Sequence, residues 1–123
     1  MTLTPYLCVT DSRAAIERYR KVFDATVRGQ PYVMDDGRIG HVELIIKDSL
    51  LMMADPFPEV GVEPPDPSSG APVSLHVEVL DCDAVAAAAV RNGAKLDRAP
   101  ESTDHGRSAT FHDPFGHRWM INS

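Results

Sequence analysis

The sequence predicts an α+β chain built from two tandem βαβββ modules that form paired, curved, mixed sheets. Three observations carry that expectation. Apolar residues alternate at period 2 in several short runs and recur at helical spacing in two longer ones. A proline-rich stretch divides the chain, with six of ten prolines falling between Pro56 and Pro72. The flanking segments also match each other at a nearly constant offset. Asp11 and Asp81 are 70 apart, while Asp24 and Gly93, Ala25 and Ala94, and Asp35-Asp36-Gly37-Arg38 and Asp104-His105-Gly106-Arg107 are 69 apart. Four collinear matches argue for two copies of one unit. The expected layout is one domain over 1–123, with a first module at 3–55, a connecting loop at 56–72 and a second module at 73–123.

The elements follow in order. Leu7-Cys8-Val9 and Leu75-His76-Val77-Glu78-Val79 alternate as half-buried strands. Asp11/Ser12 and Asp81/Asp83 supply helix-capping oxygens. Residues 13–23 place Ala15, Ile16, Tyr19, Val22 and Phe23 on one stripe, and residues 83–92 do so with Val85, Ala88 and Ala89. Asn92-Gly93 stops the second helix, because glycine takes the left-handed cap without strain; Asp24 does the same less comfortably. Three strands then follow in each copy, near 26–34, 40–47 and 50–55, and near 95–98, 107–112 and 117–122. Their turns lie at Asp36-Gly37, Lys47-Asp48-Ser49 and Asp113-Pro114-Phe115-Gly116. The proline-rich segment holds neither helix nor central strand and reads as a solvated loop, binding loop or lid.

Alternation assigns faces. With Leu7, Val9, Val42, Leu44, Ile46, Val77, Val79, Trp119 and Ile121 under the helices, Thr4, Tyr6, Cys8, His41, Glu43, Ile45, Ser74, His76, Glu78, Arg118 and Met120 turn to the opposite, concave face. Matching the copies adds Leu51 and Met53 as partners of Arg118 and Met120. The expected ligand-binding set is Tyr6, Cys8, His41, Glu43, Met53, His76, Glu78, Arg118 and Met120. Its blend of thioether, aromatic and polar groups suits a small organic molecule with a flat or apolar body and a few polar handles. The same residues have plainer readings. The His-x-Glu pairs suit a hydrogen-bonded solvated face, the methionines core packing and Cys8 an inert buried thiol. His105, His112 and His117 read as surface residues.

Composition narrows the function. The chain has 123 residues, 12 Lys plus Arg against 18 Asp plus Glu, and a formal net charge of −6. Without a basic run it offers no cationic surface to nucleic acid or to an anionic membrane. No apolar run approaches the ~20 residues that span a bilayer, and Met1-Thr2-Leu3-Thr4-Pro5 lacks signal-peptide character. Two cysteines, Cys8 and Cys82, without CxxC spacing point to free thiols and a cytoplasmic setting.

Four segments resemble a known family: Thr4-Pro5-Tyr6-Leu7, Asp36-Gly37-Arg38-Ile39-Gly40-His41-Val42-Glu43-Leu44, Asp48-Ser49-Leu50-Leu51-Met52-Met53-Ala54-Asp55 and Asp113-Pro114-Phe115-Gly116-His117-Arg118-Trp119. Together they resemble the PhnB-like branch of the vicinal oxygen chelate superfamily, which includes glyoxalase I, extradiol dioxygenases, fosfomycin-resistance enzymes and bleomycin-resistance proteins. The resemblance runs from about residue 3 to 122 and implies a homodimer with two cavities between sheets. Metal-using members hold a divalent ion through four inward side chains, typically His and Glu. Alignment with those positions gives Thr4, Met53, Ser74 and Met120, whose thioethers and hydroxyls are poor ligands for such ions. The resemblance therefore implies no metal and no cofactor at the usual place. A shifted site at His41, Glu43, His76 and Glu78 stays open, because both His-x-Glu pairs are chemically capable of binding zinc.

Three functions compete. The leading expectation is metal-free binding of an aromatic or amphipathic molecule, as in drug-sequestering bleomycin-resistance proteins. The alternative is a lyase, isomerase or dioxygenase-type enzyme with a shifted metal site or with Glu43 or Glu78 as general base. The third is a scaffold with no ligand. The expected partners are a small organic molecule and a second copy of the chain.

Overall fold

The computed structural model describes residues 1–123. They form two compact units, Met1–Pro64 and Pro65–Ser123. The first contains β1 (Tyr6–Cys8), α1 (Ser12–Phe23), β2 (Thr26–Val33), β3 (Ile39–Ile46) and β4 (Ser49–Ala54). The second contains β5 (Ser74–Glu78), α2 (Cys82–Arg91), β6 (Lys95–Thr103), β7 (Gly106–His112) and β8 (Arg118–Asn122). The sheet orders are β1-β4-β3-β2 and β5-β8-β7-β6. β1 runs parallel to β4 and β5 to β8, and the other pairs are antiparallel. Each unit is therefore one βαβββ module with a four-stranded mixed sheet, as the repeat predicted.

The helices start and stop where the sequence places their caps. Asp11 and Asp81 accept the backbone N–H of Ala14 and Ala84, each at 3.1 Å. Asp24 closes α1 in the left-handed region at φ 55, and Gly93 follows α2 at φ 93. α1 turns Ala15, Tyr19 and Phe23 onto its sheet, where Leu7, Val9, Val42, Leu44, Ile46, Leu51 and Met53 complete a buried core. α2 buries Cys82, Ala86 and Ala89 in its own unit, where Ala109, Phe111, Trp119 and Ile121 are also buried. The predicted α2 stripe of Val85, Ala88 and Ala89 is thus displaced. Only Ala89 is fully buried, and Val85 and Ala88 lie at its margins.

Several boundaries also move. β6 continues to Thr103, well past the predicted 95–98, through Pro100. A proline without an N–H is tolerated there because β6 is an edge strand with shifted register between Arg98 and Glu101. The start of the proline-rich segment is folded: Phe57 and Val62 form a β-bridge around a 3-10 turn at Pro58–Val60. Arg38 holds it. Its guanidinium grips Glu59 through two bonds of 3.0 and 2.8 Å, binds Asp36 at 2.8 Å and the Pro56 carbonyl at 3.1 Å, and lies 4.0 Å from the Phe57 ring centre.

Register overturns two facing assignments, Leu51 and Met53; Leu51 pairs with the buried Leu44 and is itself buried. Met53 pairs with Leu7 and Val42 and is 0% exposed, so it belongs to the helix-covered core. Met52 pairs with Tyr6 and Glu43 on the opposite face. In the second unit Met120 pairs with His76, so the counterpart of Met120 is Met52. The β3–β4 turn is two residues, Lys47 and Asp48, between the paired Ile46 and Ser49. The β7–β8 turn is longer, between the paired His112 and Arg118. One offset cannot hold through both turns, and a slip of one residue changes the face of every side chain.

Candidate functional site

Each sheet has one face under its helix and one face without a helix. On the helix-free face of the first unit, Arg28, Glu43, Met52 and Tyr6 form one cross-strand row. Tyr32 lies opposite His41, and Ile45 opposite Thr26 and Leu50. Pairing, not proximity in sequence, brings these groups together.

A chain of polar contacts crosses this face. The Tyr6 hydroxyl is 2.8 Å from His41 Nδ1 and 2.9 Å from the Gly40 carbonyl. His41 Nε2 is 2.9 Å from Glu43 Oε2, and Arg28 Nε lies 3.7 Å from Glu43 Oε1. Two proton arrangements fit. With a neutral imidazole, Nε2–H donates to Glu43 and Nδ1 accepts the Tyr6 O–H. With an imidazolium, both ring N–H groups donate, and the Tyr6 O–H turns to Gly40. Burial, then the Glu43 charge, raises the Tyr6 hydroxyl above its usual pKa, so it stays a proton donor. The Tyr6 and His41 rings meet edge-on at 5.3 Å.

Cys8 shares this face beyond Tyr6 and is half-buried. Burial, then the charges of Asp55 and Glu63, push its thiol up to about 11, so it is not a thiolate at neutral pH. Cys82 sits buried at the start of α2, also raised, chiefly by burial.

In the second unit, Ser74, Arg118, His112 and Lys95 share one row, and His76, Met120, Thr110 and Arg98 share the next. Arg118 Nη1 donates to Ser74 Oγ at 2.7 Å. Glu78 lies one row further on, opposite Asn122. His112, expected as a plain surface residue, is half-buried and hydrogen-bonds through Nδ1 to Asp97. The predicted residues Tyr6, Cys8, His41 and Glu43 therefore gather on one sheet, and His76, Glu78, Arg118 and Met120 on the other. Met53 joins neither. Sequence reading missed Met52, Arg28 and Tyr32 in the first unit and Arg98 and Thr110 in the second. The β2 and β6 residues gave no usable signal, because both strands carry register shifts that break alternation.

The donor set does not fit a divalent ion at the aligned positions. Met53 is sealed in the core, Ser74 Oγ already accepts from Arg118, and Met120 offers a thioether. His41 and Glu43 bond each other within the first unit. No group of three or more His, Cys, Asp or Glu side chains is placed to hold a metal.

Comparison with known proteins gives a consistent picture. A family model for the glyoxalase/bleomycin resistance protein/dioxygenase superfamily matches residues 2–121. An uncharacterized protein of Mycobacterium bovis is 37% identical over 123 residues, covering 97% of this chain and 80% of its own length. Among solved structures, fosfomycin resistance protein FosX from Mesorhizobium loti superposes with a TM-score of 0.71 at 18% identity, covering 99% of this chain and 90% of its own. A glyoxalase/bleomycin resistance protein from Streptomyces sp. CB03234 gives 0.67 at 23%, covering 98% and 97%. At these identities the structural likeness is one of fold.

Proposed function

The chain belongs to the glyoxalase/bleomycin resistance protein/dioxygenase superfamily, and on that premise we propose that it is a metal-independent binding protein of the PhnB-like branch, holding a small aromatic or amphipathic molecule on its helix-free sheet faces as a homodimer. One observation carries the reading: these faces expose apolar groups beside fixed polar ones. Tyr6 is 51% exposed, Tyr32 65% and Met120 39%, and Tyr6 is braced by His41 and Gly40. Exposed aromatic and thioether surface with convergent polar groups is what a flat organic ligand covers. Edge strands and the same apolar faces give a second copy of the chain something to cover. The resistance proteins among the similar structures make sequestration of an antibiotic the first ligand class to try.

Equilibrium titration with a panel of planar aromatics and antibiotics tests this. Micromolar binding is expected for at least one compound, weakened about threefold to tenfold by Tyr6→Ala or Met120→Ala, the range that aromatic contacts contribute. Absence of binding to the whole panel at millimolar concentration overturns it. Sedimentation of the free protein reads the dimer.

The Tyr6–His41–Glu43 chain favours a second reading, an enzyme in which Glu43 takes a substrate proton and Tyr6 supplies one. Turnover of a bound compound that disappears in Glu43→Gln while binding persists selects it.

A further inference from the structure

The helix-free face of the second unit leaves its cations without ion-pair partners, as that of the first does not. In the first unit Arg28 faces Glu43, and Arg38 is held by Asp36 and Glu59. In the second unit Arg107 is paired with Asp83 by two bonds, 3.0 and 3.1 Å. Lys95, Arg98 and Arg118, all on the helix-free face, form no ion pair. The chain is acidic, at −6 overall, so carboxylates are not scarce. Few of them stand on this part of the face. Asp97 is the one carboxylate at these rows, where it is hydrogen-bonded to His112, and Glu78 and Glu101 stand at opposite ends of the next row, through Ser108 and Asn122. Lys95, Arg118 and Arg98 thus outnumber the single Asp97 carboxylate, and the two rows are cationic.

We propose that this face is an oxyanion-binding surface that takes a carboxylate or phosphate group carried on an apolar ligand, with Arg118 as its principal donor and Arg98 and Lys95 beside it. The proposal rests on the ligand-binding reading above. Ser74 is a neutral partner, so its 2.7 Å bond orients the Arg118 guanidinium without neutralising it. The remaining N–H groups of that planar fork match the paired oxygens of a carboxylate or phosphate. Lys95 and Arg118 flank His112 on neighbouring strands about 4.8 Å apart, and Arg98 lies one row away, about 7 Å along. Long cationic side chains at that spacing reach a common anion. Met120, between Thr110 and His76 on the adjacent row, gives the apolar body its contact.

The test compares three naphthalene probes by fluorescence titration: 1-naphthoate, 1-naphthyl phosphate and neutral 1-naphthalenemethanol. At low salt the better anionic probe is expected to bind about tenfold or more tighter than the alcohol, and the preference shrinks at high salt. Which anion binds tighter identifies the group the surface is built for. Arg118→Gln removes most of the preference. Arg118→Lys keeps part of it, and Arg20→Gln, on the surface of α1 beside Glu17, leaves it intact. Unchanged thermal midpoints show that the variants fold. Equal affinity for the alcohol and both anions overturns the oxyanion surface and leaves the binding function standing, as does a preference that survives Arg118→Gln and Arg98→Gln. Failure of all three probes at millimolar concentration overturns both.

Discussion

The two units share a topology and differ in how they treat charge. In the first, the carboxylate of Asp55 is buried and accepts the backbone N–H of Ser12 at 2.8 Å and of Ile39 at 2.7 Å, tying α1 and β3 to the end of β4. At the same place in the second, Ser123 does the work: its hydroxyl takes the Cys82 N–H at 3.2 Å, and its backbone bonds Arg107 in both directions. The helix-free faces differ likewise. Tyr6, His41, Glu43 and Arg28 are wired to one another, whereas Lys95, Arg98 and Arg118 are left for something else. Backbone pairing is a property of alternation and turn length, so a duplicated module keeps it. Charge partners depend on single side chains, so two copies can diverge there without unfolding.

The sharpest test of the register sets two neighbours against each other. Met53→Ala opens a cavity in the first core and is expected to cost about 3 kcal/mol in denaturant unfolding, while Met52→Ala on the opposite face costs under about 1 kcal/mol. A larger loss for Met52→Ala than for Met53→Ala would mean that β4 is paired one residue away. Next comes the buried carboxylate. Asp55→Ala strands two backbone donors and should cost about 2–4 kcal/mol; Ser123→Ala removes one long neutral bond and should cost about 0.5–1 kcal/mol. A reversed order would deny that the first unit depends on charge where the second does not.

The matching hairpin glycines give a smaller contrast. Gly106 has φ +100, and a Cβ there would lie 2.4 Å from the Ser123 carbonyl oxygen, whereas Gly37 at φ +90 has open space. Gly37→Ala is expected to cost about 1 kcal/mol from backbone strain alone, and Gly106→Ala about 1–2 kcal/mol more. The smallest effect is in pH. The Arg38 guanidinium pulls the Glu59 carboxyl down from 4.5 to about 2. A lowered folded-state pKa means that the stabilisation is complete above about pH 4.5 and is lost as pH falls toward 2. The thermal midpoint of the natural protein should therefore exceed that of Glu59→Gln by a few degrees at most at pH 6, and the gap should close by pH 2. A gap that widens on acidification would contradict the Arg38 latch.

The βαβββ pattern was legible because it rests on local signals: capping aspartates, a left-handed helix stop, and strands such as Gly40–Ile46 whose alternation matches half-burial. Those signals put Tyr6, His41, Glu43, His76, Arg118 and Met120 on the helix-free faces. They failed at Leu50–Ala54, where every residue is apolar and no period exists to read. They failed again at β2 and β6, where bulged edge strands hid Arg28 and Arg98.

By itself, then, the sequence determined which segments become strands and helices and which faces of the alternating strands go inward, since those depend on neighbours two to four residues away. Only the tertiary structure decided that Met52 and not Met53 joins Tyr6 and Glu43, that Arg28 meets a carboxylate, and that Arg118 meets only a hydroxyl. Such pairings depend on turn lengths and bulges summed across a whole sheet, and one residue more or less reverses the outcome.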